Sequence, residues 1–230
     1  MSNLTKKQKI ILEKHDPEKT YSLEEAMDII QSVKSEKFDE SIDISVKLGV
    51  DPDKSDQNVR GAVTLPNSLG KEVKIAVFAD GDHASDAQTA GAEYVGMDDL
   101  AEKFQKDEVN VDVVISTNSA MKVVGKLGQV LGPKGLMPNP KTGTVSDDVV
   151  TAIKNVKAGQ VRFRTDKNGI IHGSIGKVSF EGNKIKANAS ALLEELRKLK
   201  PASAKGVYIG NIALSSTMGP GVKINPGELV

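Results

Sequence analysis

Several residue types are absent or scarce in this 230-residue chain. It contains no cysteine and no tryptophan, and only five phenylalanines and three tyrosines. The absence of cysteine excludes disulfide bonds and thiolate chemistry. So few aromatic rings also argue against a single-strand nucleic-acid binder that depends on rows of stacked side chains.

Long apolar runs are missing as well. The basic start of the chain is followed only by Ile10, Ile11 and Leu12. A signal peptide needs about 7–15 apolar residues at this place, and a membrane-spanning helix needs about 18. We therefore expect a protein that is neither exported by this route nor embedded in a membrane, and a chain without cysteine fits the cytoplasm.

The chain has no net charge, with 31 basic and 31 acidic residues, but the charges are unevenly distributed. Residues 1–66 and residues 67–159 each carry 10 basic and 13 acidic side chains, whereas residues 160–230 carry 11 and 5, a net charge of +6. A basic segment of this kind favours a partner that bears phosphate, although a solvated charged face would explain it too.

The clearest pattern in the sequence is an alternation that begins at Ile42. Apolar residues occupy every second position up to Leu48, with Asp43, Ser45 and Lys47 between them. Side chains alternate between the two faces of a strand, so this pattern predicts a strand with one buried and one solvated face. A second extended run covers 59–65 after a polar connection. The two runs could form an ordinary hairpin, or they could belong to a binding domain.

The two ends of the chain share a pattern of half-solvated strands and amphipathic helices. A short basic helix or arm is predicted over 4–14. Ser22 and Glu25 form a capping box for a helix over 23–34, because each satisfies a free amide of the other. Further strands are predicted over 160–164, 170–175, 177–180 and 207–214, with a helix over 190–200. Asp166 to Gly169 contains Asn-Gly, which predicts a hairpin between the first two of these strands.

The middle of the chain alternates strands and helices. Apolar strands are predicted over 73–79, 93–95 and 111–116, and helices over 83–92, 97–106, 118–127 and 147–157. Asp82 or Ser85 is expected to cap the first of these helices, and Asn118 or Ser119 the third. Alternation with short connections predicts a parallel sheet covered by helices. The run 128–143 holds three prolines and four glycines, which disfavours regular structure.

These patterns predict an α/β chain with an inserted domain. Residues 1–66 and 160–230 would form a discontinuous α+β domain with a mostly antiparallel sheet, and 67–159 a Rossmann-like parallel α/β domain. The insert lacks the Gly-x-Gly-x-x-Gly turn that admits a pyrophosphate. His15, His83 and His172 are far apart, with no second ligand at metal-binding spacing. A nucleotide-dependent enzyme built on the insert stays an alternative, but no catalytic or metal site is visible.

A binding function finds more support in the residues. The basic side chains of Arg162, Arg164, Lys167 and Lys177 lie on or beside the predicted hairpin and would neutralise phosphates. Hydroxyls at 215–217 could pair with a ribose 2′-hydroxyl, which distinguishes RNA from DNA. Gly219 and Gly221 would let a ribose approach the backbone closely. A tight structural turn would explain this last segment almost as well.

Three segments, 54–61, 125–141 and 216–219, resemble the bacterial "L one" family of large-subunit ribosomal proteins, the proteins of the mobile lateral stalk. The likeness spans nearly the whole chain. It implies a structural protein, without enzymatic activity or cofactors, that binds large-subunit ribosomal RNA through the split domain. It also implies a cytoplasmic protein on the large ribosomal subunit, which is a monomer outside the ribosome.

The resemblance implies two further activities. The family represses translation by binding the messenger of its own operon, and the stalk helps to release deacylated tRNA from the exit site. Carried over position by position, the family's RNA contacts fall on eleven residues of this chain: Lys37, Phe38, Glu40, Ser41, Arg164, Lys167, His172, Ser215, Thr217, Met218 and Gly219. The neutral net charge departs from the basic character usual in ribosomal proteins. Either non-specific RNA affinity is reduced, because counterion release scales with the phosphates neutralised, or the acidic insert only dilutes a basic face on the split domain.

Overall fold

The computed structural model describes residues 6–34, 37–70, 73–106 and 108–228. Contacts divide the chain into two units: residues 1–69 with 161–230 form unit 1, and residues 70–160 form unit 2. The predicted boundaries lie within three residues of these divisions. That each unit also folds on its own stays a prediction. The predicted helix over 4–14 begins at Lys6 in the structure, and its first two residues lie outside the described part.

Unit 1 contains helices and a mostly antiparallel set of strands. Its helices are α1 (Lys6–Lys14), α2 (Leu23–Val33) and α8 (Gly182–Lys198). Its strands are β1 (Ser41–Leu48), β2 (Arg60–Thr64), β6 (Gln160–Arg164), β7 (Ile170–Lys177), β8 (Ile209–Ser216) and β9 (Gly221–Ile224). Unit 2 contains β3 (Ile75–Phe78), α3 (Gly81–Thr89), β4 (Tyr94–Gly96), α4 (Asp98–Gln105), β5 (Val113–Ser116), α5 (Met121–Lys126), α6 (Gly128–Leu131) and α7 (Val149–Lys157).

Strand β1 is a central strand of the four-stranded sheet in unit 1. The strand order is β7-β1-β8-β9, and β1 is antiparallel to both of its neighbours. The predicted alternation is confirmed, because Ile42, Ile44 and Val46 are fully buried while the residues between them face solvent in part. Strand β2 pairs instead with β6 in a separate two-stranded sheet. The alternative of a hairpin between β1 and β2 is therefore wrong.

Helices α2 and α8 pack on the buried face of this sheet through one continuous apolar core. The capping box of α2 is confirmed, since Ser22 and Glu25 exchange both backbone-to-side-chain bonds. Helix α8 begins at Gly182, eight residues before the predicted start. The sequence over 182–189 mixes Ala and Lys, which favour helix, with Gly and Asn, which do not, and Ile185, Asn188 and Ala189 are buried at helical spacing. Tertiary packing therefore supports the helix across its weaker positions, which the sequence pattern alone did not show.

Asn188 fixes the chain where it leaves unit 1. Its side-chain oxygen accepts from the Asn67 backbone N–H at 2.9 Å, and its Nδ2 donates to the Asn67 carbonyl at 3.0 Å. The same Nδ2 donates to the Ile175 carbonyl at 2.7 Å. Because Asn188 is fully buried, these bonds satisfy groups that would otherwise be costly. The Asn188 amide thereby attaches the segment that leads from unit 1 to unit 2 to both α8 and β7.

The hairpin predicted between β6 and β7 is only partly formed. Asp166 to Gly169 does turn the chain, with Gly169 at φ +76°. However, β6 and β7 lie in different sheets and share one isolated bridge between Thr165 and Ile171. The predicted continuation of strand over 177–180 is also wrong beyond Lys177, because β1 ends its pairing with β7 at that residue.

Unit 2 is built on a parallel three-stranded sheet with the order β4-β3-β5. One face of it packs against α4, α5 and α6, and the other against α3 and α7. All residues of β3 and β5 are consequently buried, as in sheets that helices cover on both sides. The predicted fold class, an antiparallel sheet and a separate parallel α/β unit, is confirmed.

Some local predictions in unit 2 are wrong. Helix α3 starts at Gly81, so Asp82 and Ser85 lie inside the helix and do not cap it. Asn118 bonds Asp147 instead of capping α5, and the Thr117 hydroxyl accepts from the Ala120 N–H there. Four residues of the Gly/Pro run form α6, because Pro133 comes only after the helix has ended and Leu131 is fully buried.

The last predicted strand is displaced toward the C-terminus. Strand β8 runs from Ile209 to Ser216, and β9, which the sequence did not predict, follows after four residues. The segment 217–220 is therefore a tight connection between two antiparallel strands, as the alternative interpretation held. This connection lies beside the start of β1, which places it at the centre of the candidate site.

Candidate nucleic-acid interface

The start of β1 and the end of β8 meet, although they are far apart in sequence. Ile42 pairs with Ser216 across the two antiparallel strands. Beyond this pair, the Thr217 N–H donates to the Ser41 carbonyl at 3.1 Å. The Ser41 N–H in turn donates to the Thr217 hydroxyl at 3.1 Å, a contact across 176 residues of sequence. The structure thus brings together predicted site residues from both ends of the chain.

Glu40 occupies a different position from the one its predicted role requires. Its side chain is 1% exposed, and Oε2 accepts from the Met218 backbone N–H at 3.2 Å. Its own carbonyl accepts from the Val178 N–H at 2.9 Å. A carboxylate buried in this way holds the 217–220 connection in place. Direct contact between Glu40 and RNA stays a prediction that this geometry does not favour.

Two large apolar side chains stand exposed on the segments that Glu40 joins. Phe38 is 50% exposed and Met218 is 57% exposed. Asp39, next to Phe38, is held by Ser179, whose hydroxyl donates to its carboxylate at 2.7 Å. Lys37 is exposed at the edge of this group. Exposed rings on a fixed backbone can stack on nucleobases without losing much conformational freedom on binding.

Gly219 occupies a position where an added Cβ would fit only if the Ser216 side chain moved. Its N–H donates to the Ser216 carbonyl at 3.1 Å. A Cβ on Gly219 would collide with the Ser216 hydroxyl, which is buried and has no hydrogen-bond partner in the described part of the chain. Gly221, by contrast, has open space around the position of a Cβ. Ser215 is half-buried on β8, where it pairs with Asp43 and Gly221.

The remaining predicted residues form a second group farther along β1. His172 is opposite Ser45, four residues from Ser41, which corresponds to about 13 Å along a strand. Lys167 lies in the turn 166–169, whose Gly169 carbonyl accepts from the N–H of Leu48 at the end of β1. Arg164 is exposed at the end of β6. The eleven predicted residues therefore fall into two groups within unit 1.

His172 is held by a serine and an aspartate that sequence analysis did not select. Its Nδ1 lies 3.1 Å from the Ser45 hydroxyl, and its Nε2 lies 3.4 Å from Asp166 Oδ2. The pKa of the Asp166 carboxyl is below its ordinary value, chiefly because the Ile170 backbone N–H donates to it. The alternation of β1 already places Ser45 on the solvated face, but only the fold shows its pairing with His172.

This serine, histidine and aspartate do not form a hydrolytic site. Ser45 lies in the middle of β1, whose backbone is paired on both sides by β7 and β8. Strand amides engaged in this way cannot hold a developing oxyanion, which acyl transfer requires. Ordered hydroxyl and imidazole groups on an open sheet face are better suited to hydrogen bonding with a ligand.

The carboxyl edge of the parallel sheet in unit 2, where nucleotides commonly bind, is acidic. Asn118 follows β5, and its side chain and backbone both bond Asp147, at 2.8 Å and 3.2 Å. These bonds, the side-chain one first, lower the pKa of Asp147. Asp80 follows β3 at the same edge. Carboxylates there would repel a phosphate, and no three potential metal ligands cluster anywhere in the described residues.

No helix in the described ranges combines the length and the apolar character needed to cross a membrane.

The chain is similar in sequence to several known proteins. Residues 30–220 match the model of the ribosomal protein L1p/L10e family. Three curated relatives are each called large ribosomal subunit protein uL1. The one from Saccharophagus degradans is 57% identical over all of this chain and 99% of its own length. The one from Pseudoalteromonas atlantica is 56% identical, over 100% and 98%. The one from Pseudomonas aeruginosa is 58% identical, over 100% and 99%.

These names describe a ribosomal component and not an enzyme, which confirms the expectation that the chain is not an enzyme and removes the nucleotide-dependent alternative. The match of the family model covers most of the sequence, and the relatives cover all of it. The chain belongs to the ribosomal protein L1p/L10e family.

Proposed function

We propose that this protein is a component of the large ribosomal subunit in the cytoplasm and binds ribosomal RNA through unit 1. The observation that supports this most strongly is the junction between β1 and β8. It presents Phe38 and Met218 to solvent on segments that are fixed by Glu40 and Thr217. The relatives' names place them in the same subunit.

The arrangement favours recognition by shape and stacking over recognition by charge. A buried carboxylate supports the connection, and the side chains exposed at its centre, Phe38 and Met218, are uncharged. Ser45 and His172 extend the polar face toward a backbone or a 2′-hydroxyl farther along the sheet. Because counterion release scales with the number of phosphates neutralised, we expect only a modest dependence of RNA affinity on salt.

Binding of a labelled fragment of large-subunit ribosomal RNA to the full chain tests this proposal. Phe38→Ala removes an exposed ring, and loss of one stacked base is expected to cost about 1–3 kcal/mol, or about 5- to 150-fold in affinity. Val207→Ala is a matched control, because Val207 is 79% exposed but lies at the other end of β8. Equal affinities for the two variants would move the site away from the junction.

We further propose that the same surface binds the messenger of the protein's own operon and represses its translation. This rests on the family membership together with the RNA-binding surface proposed for unit 1. Two RNAs that use one surface must compete. Labelled leader RNA should therefore be displaced by the ribosomal fragment, and simultaneous occupancy would contradict the shared site.

Assistance in the release of deacylated tRNA is a separate proposal, and unit 2 supplies the observation that favours it. Lys122 and Lys126 are exposed one turn apart on α5, and the run from Gly132 to Gly135 is exposed beside α6. Exposed lysines next to glycines admit a phosphate backbone. Charge reversal at both lysines should weaken the binding of deacylated tRNA and leave binding of the ribosomal fragment unchanged. Sedimentation of the free protein would test the accompanying expectation that it is a monomer.

A further inference from the structure

A pocket lies at the end of unit 1 where β8 begins. Its volume is about 360 Å³, and it is lined by Arg197, Lys200, Tyr208, Ile209, Pro226 and Gly227. The lining combines the last turn of α8, the residues that enter β8, and the 3₁₀ turn that follows β9. Pockets of this size accommodate one or two large side chains of a ligand.

The walls of the pocket are fixed by contacts within unit 1. The Tyr208 carbonyl accepts from the Gly49 N–H at 2.8 Å, and a Cβ on Gly49 would collide with the Val207 carbonyl. Ile209 pairs with Leu48 on β1. The N–H of Gly227 donates to Asn225 Oδ1 at 3.1 Å. A ligand would therefore meet a surface that is already organised, which lowers the entropic cost of binding.

The chemistry of the pocket joins apolar walls to positive charge. The Lys200 ammonium lies 5.8 Å from the centroid of the Tyr208 ring. Neither Arg197 nor Lys200 forms an ion pair with any acidic side chain that the structure describes. The Tyr208 hydroxyl is buried in the wall and has no hydrogen-bond partner among the described residues. Such a site matches a ligand with an apolar group beside a carboxylate.

Exposed apolar side chains continue the surface beyond the pocket. Val207 is 79% exposed, the largest value among the exposed large hydrophobic residues in the described part of the chain, and Leu199 is 36% exposed. Both belong to the segment that connects α8 with β8. Exposed apolar residues around a pocket with a basic rim are typical of protein–protein contact sites, where Arg and apolar anchors carry much of the affinity.

We propose that this pocket and its rim bind an acidic segment of a partner protein, with one apolar side chain inserted between Tyr208 and Pro226. An RNA ligand is disfavoured, because four of the six lining residues bring no cation to neutralise phosphates. The pocket and the β1–β8 junction lie at opposite ends of β8, whose eight residues span about 23 Å from the first to the last. A peptide and ribosomal RNA could therefore bind at the same time, and this inference does not rest on the RNA-binding proposal.

Nuclear magnetic resonance titration of the ¹⁵N-labelled full chain tests the inference. The probe is an acidic hexapeptide, acetyl-Asp-Glu-Leu-Phe-Glu-Asp-amide. Two control peptides are compared with it: in one, basic residues replace the acidic residues, and in the other, Ser-Ser replaces Leu-Phe. The acidic apolar peptide should shift the amides of Lys200, Val207, Ile209 and Gly227 in a saturable way. Each counterpart should bind at least tenfold more weakly.

Substitutions locate the contact. Lys200→Glu and Val207→Asp change exposed residues and should each weaken the peptide at least fivefold. Lys186→Glu reverses an exposed charge elsewhere on α8 and should change nothing. Unchanged chemical shifts of amides distant from the pocket, read from the ¹⁵N spectrum of each free variant, would show that all three variants are folded. The inference is overturned if millimolar peptide causes no saturable change in chemical shift, or if the basic peptide binds equally well. It is also overturned if a six-residue uridine oligonucleotide shifts the same amide resonances and binds with higher affinity than the acidic peptide.

Discussion

Gly219 offers a sharp test of the β1–β8 junction, because the structure supplies both the perturbation and its matched control. Gly219→Ala places a methyl group against the buried Ser216 hydroxyl, while Gly221→Ala, two residues away, meets open space. Both substitutions restrict the unfolded chain alike. A difference between them therefore reports the collision and not the general loss of glycine.

The size of the effect follows from what must move. Either Ser216 leaves its preferred rotamer, which costs about 0.5–1.5 kcal/mol, or the connection shifts, and overpacking typically costs about 1–3 kcal/mol. A shift would also loosen the bond from the Met218 N–H to Glu40, which lies next along the chain. We expect Gly219→Ala to lower the free energy of unfolding by about 1 kcal/mol and the affinity for ribosomal RNA by about tenfold.

A substitution at Ser216 tests whether the collision with its hydroxyl causes the effects of Gly219→Ala on stability and RNA affinity. The Ser216 hydroxyl has no partner in the described residues, so Ser216→Ala removes an unsatisfied group and should be nearly neutral. When both substitutions are combined, the methyl group added by Gly219→Ala would have room, and both stability and RNA affinity should recover. Filter binding and thermal unfolding measure the two quantities. Equal behaviour of Gly219→Ala and Gly221→Ala, or no recovery in the double variant, would refute the reasoning.

Other contacts of the structure lead to four more expected outcomes. Glu40→Ala leaves the Met218 N–H without an acceptor and should lower the free energy of unfolding by about 1–3 kcal/mol in chemical denaturation, whereas Glu194→Ala on the exposed face of α8 should change it by less than about 0.5 kcal/mol. The Ile170 N–H is the chief cause that lowers the pKa of Asp166 in the folded protein, so the contribution of the Asp166 carboxylate to stability is present above about pH 3.9 and is lost as the pH falls further. The Ile170 amide resonance should shift in that pH range, and the Asp166→Asn variant should not show this shift. Burial raises the pKa of Tyr208 to about 12, so its contribution is complete below about pH 10 and is lost as the pH rises toward 12; absorbance near 295 nm should show a late transition that Tyr208→Phe removes. Joining Pro66 to Gln160 through a short Gly/Ser link deletes unit 2 and should leave a folded unit 1 that keeps most of its RNA affinity. A product that folds but does not bind RNA would instead place the RNA-binding site at Lys126, Lys134 and Lys141.

The elements that sequence analysis predicted well are those whose signals are local. Alternation over seven residues was sufficient to identify β1 and its buried face, and the capping box fixed the start of α2. The buried strands of unit 2 were recognisable because a sheet covered on both faces has no polar positions to interrupt the run. In each of these cases the neighbouring residues alone carry the physical cause.

The features that were missed depend on contacts between distant segments. Nothing local shows that β1 pairs with β7 and β8 and not with β2. The early start of α8 depends on burial of Ile185 and Asn188, which compensates for Gly and Asn at positions where they weaken the local helix propensity. Glu40 looks like an ordinary surface acid in the sequence, and its burial beneath the Met218 N–H becomes visible only in the fold.

The same distant contacts explain why the candidate site can be divided between the two ends of the chain. Strands β2 and β6 pair, and the Thr165 N–H donates to the Val59 carbonyl at 2.9 Å, so the end of β6 lies beside the start of β2. Their other ends, where the chain leaves for unit 2 and returns, must then lie together as well. The residues of unit 2 can therefore be inserted without moving β1 away from β8. The β1–β8 junction therefore requires that both chain segments of unit 1 fold together. The number of residues between Ser41 and Thr217 does not determine how rigidly these two residues are joined.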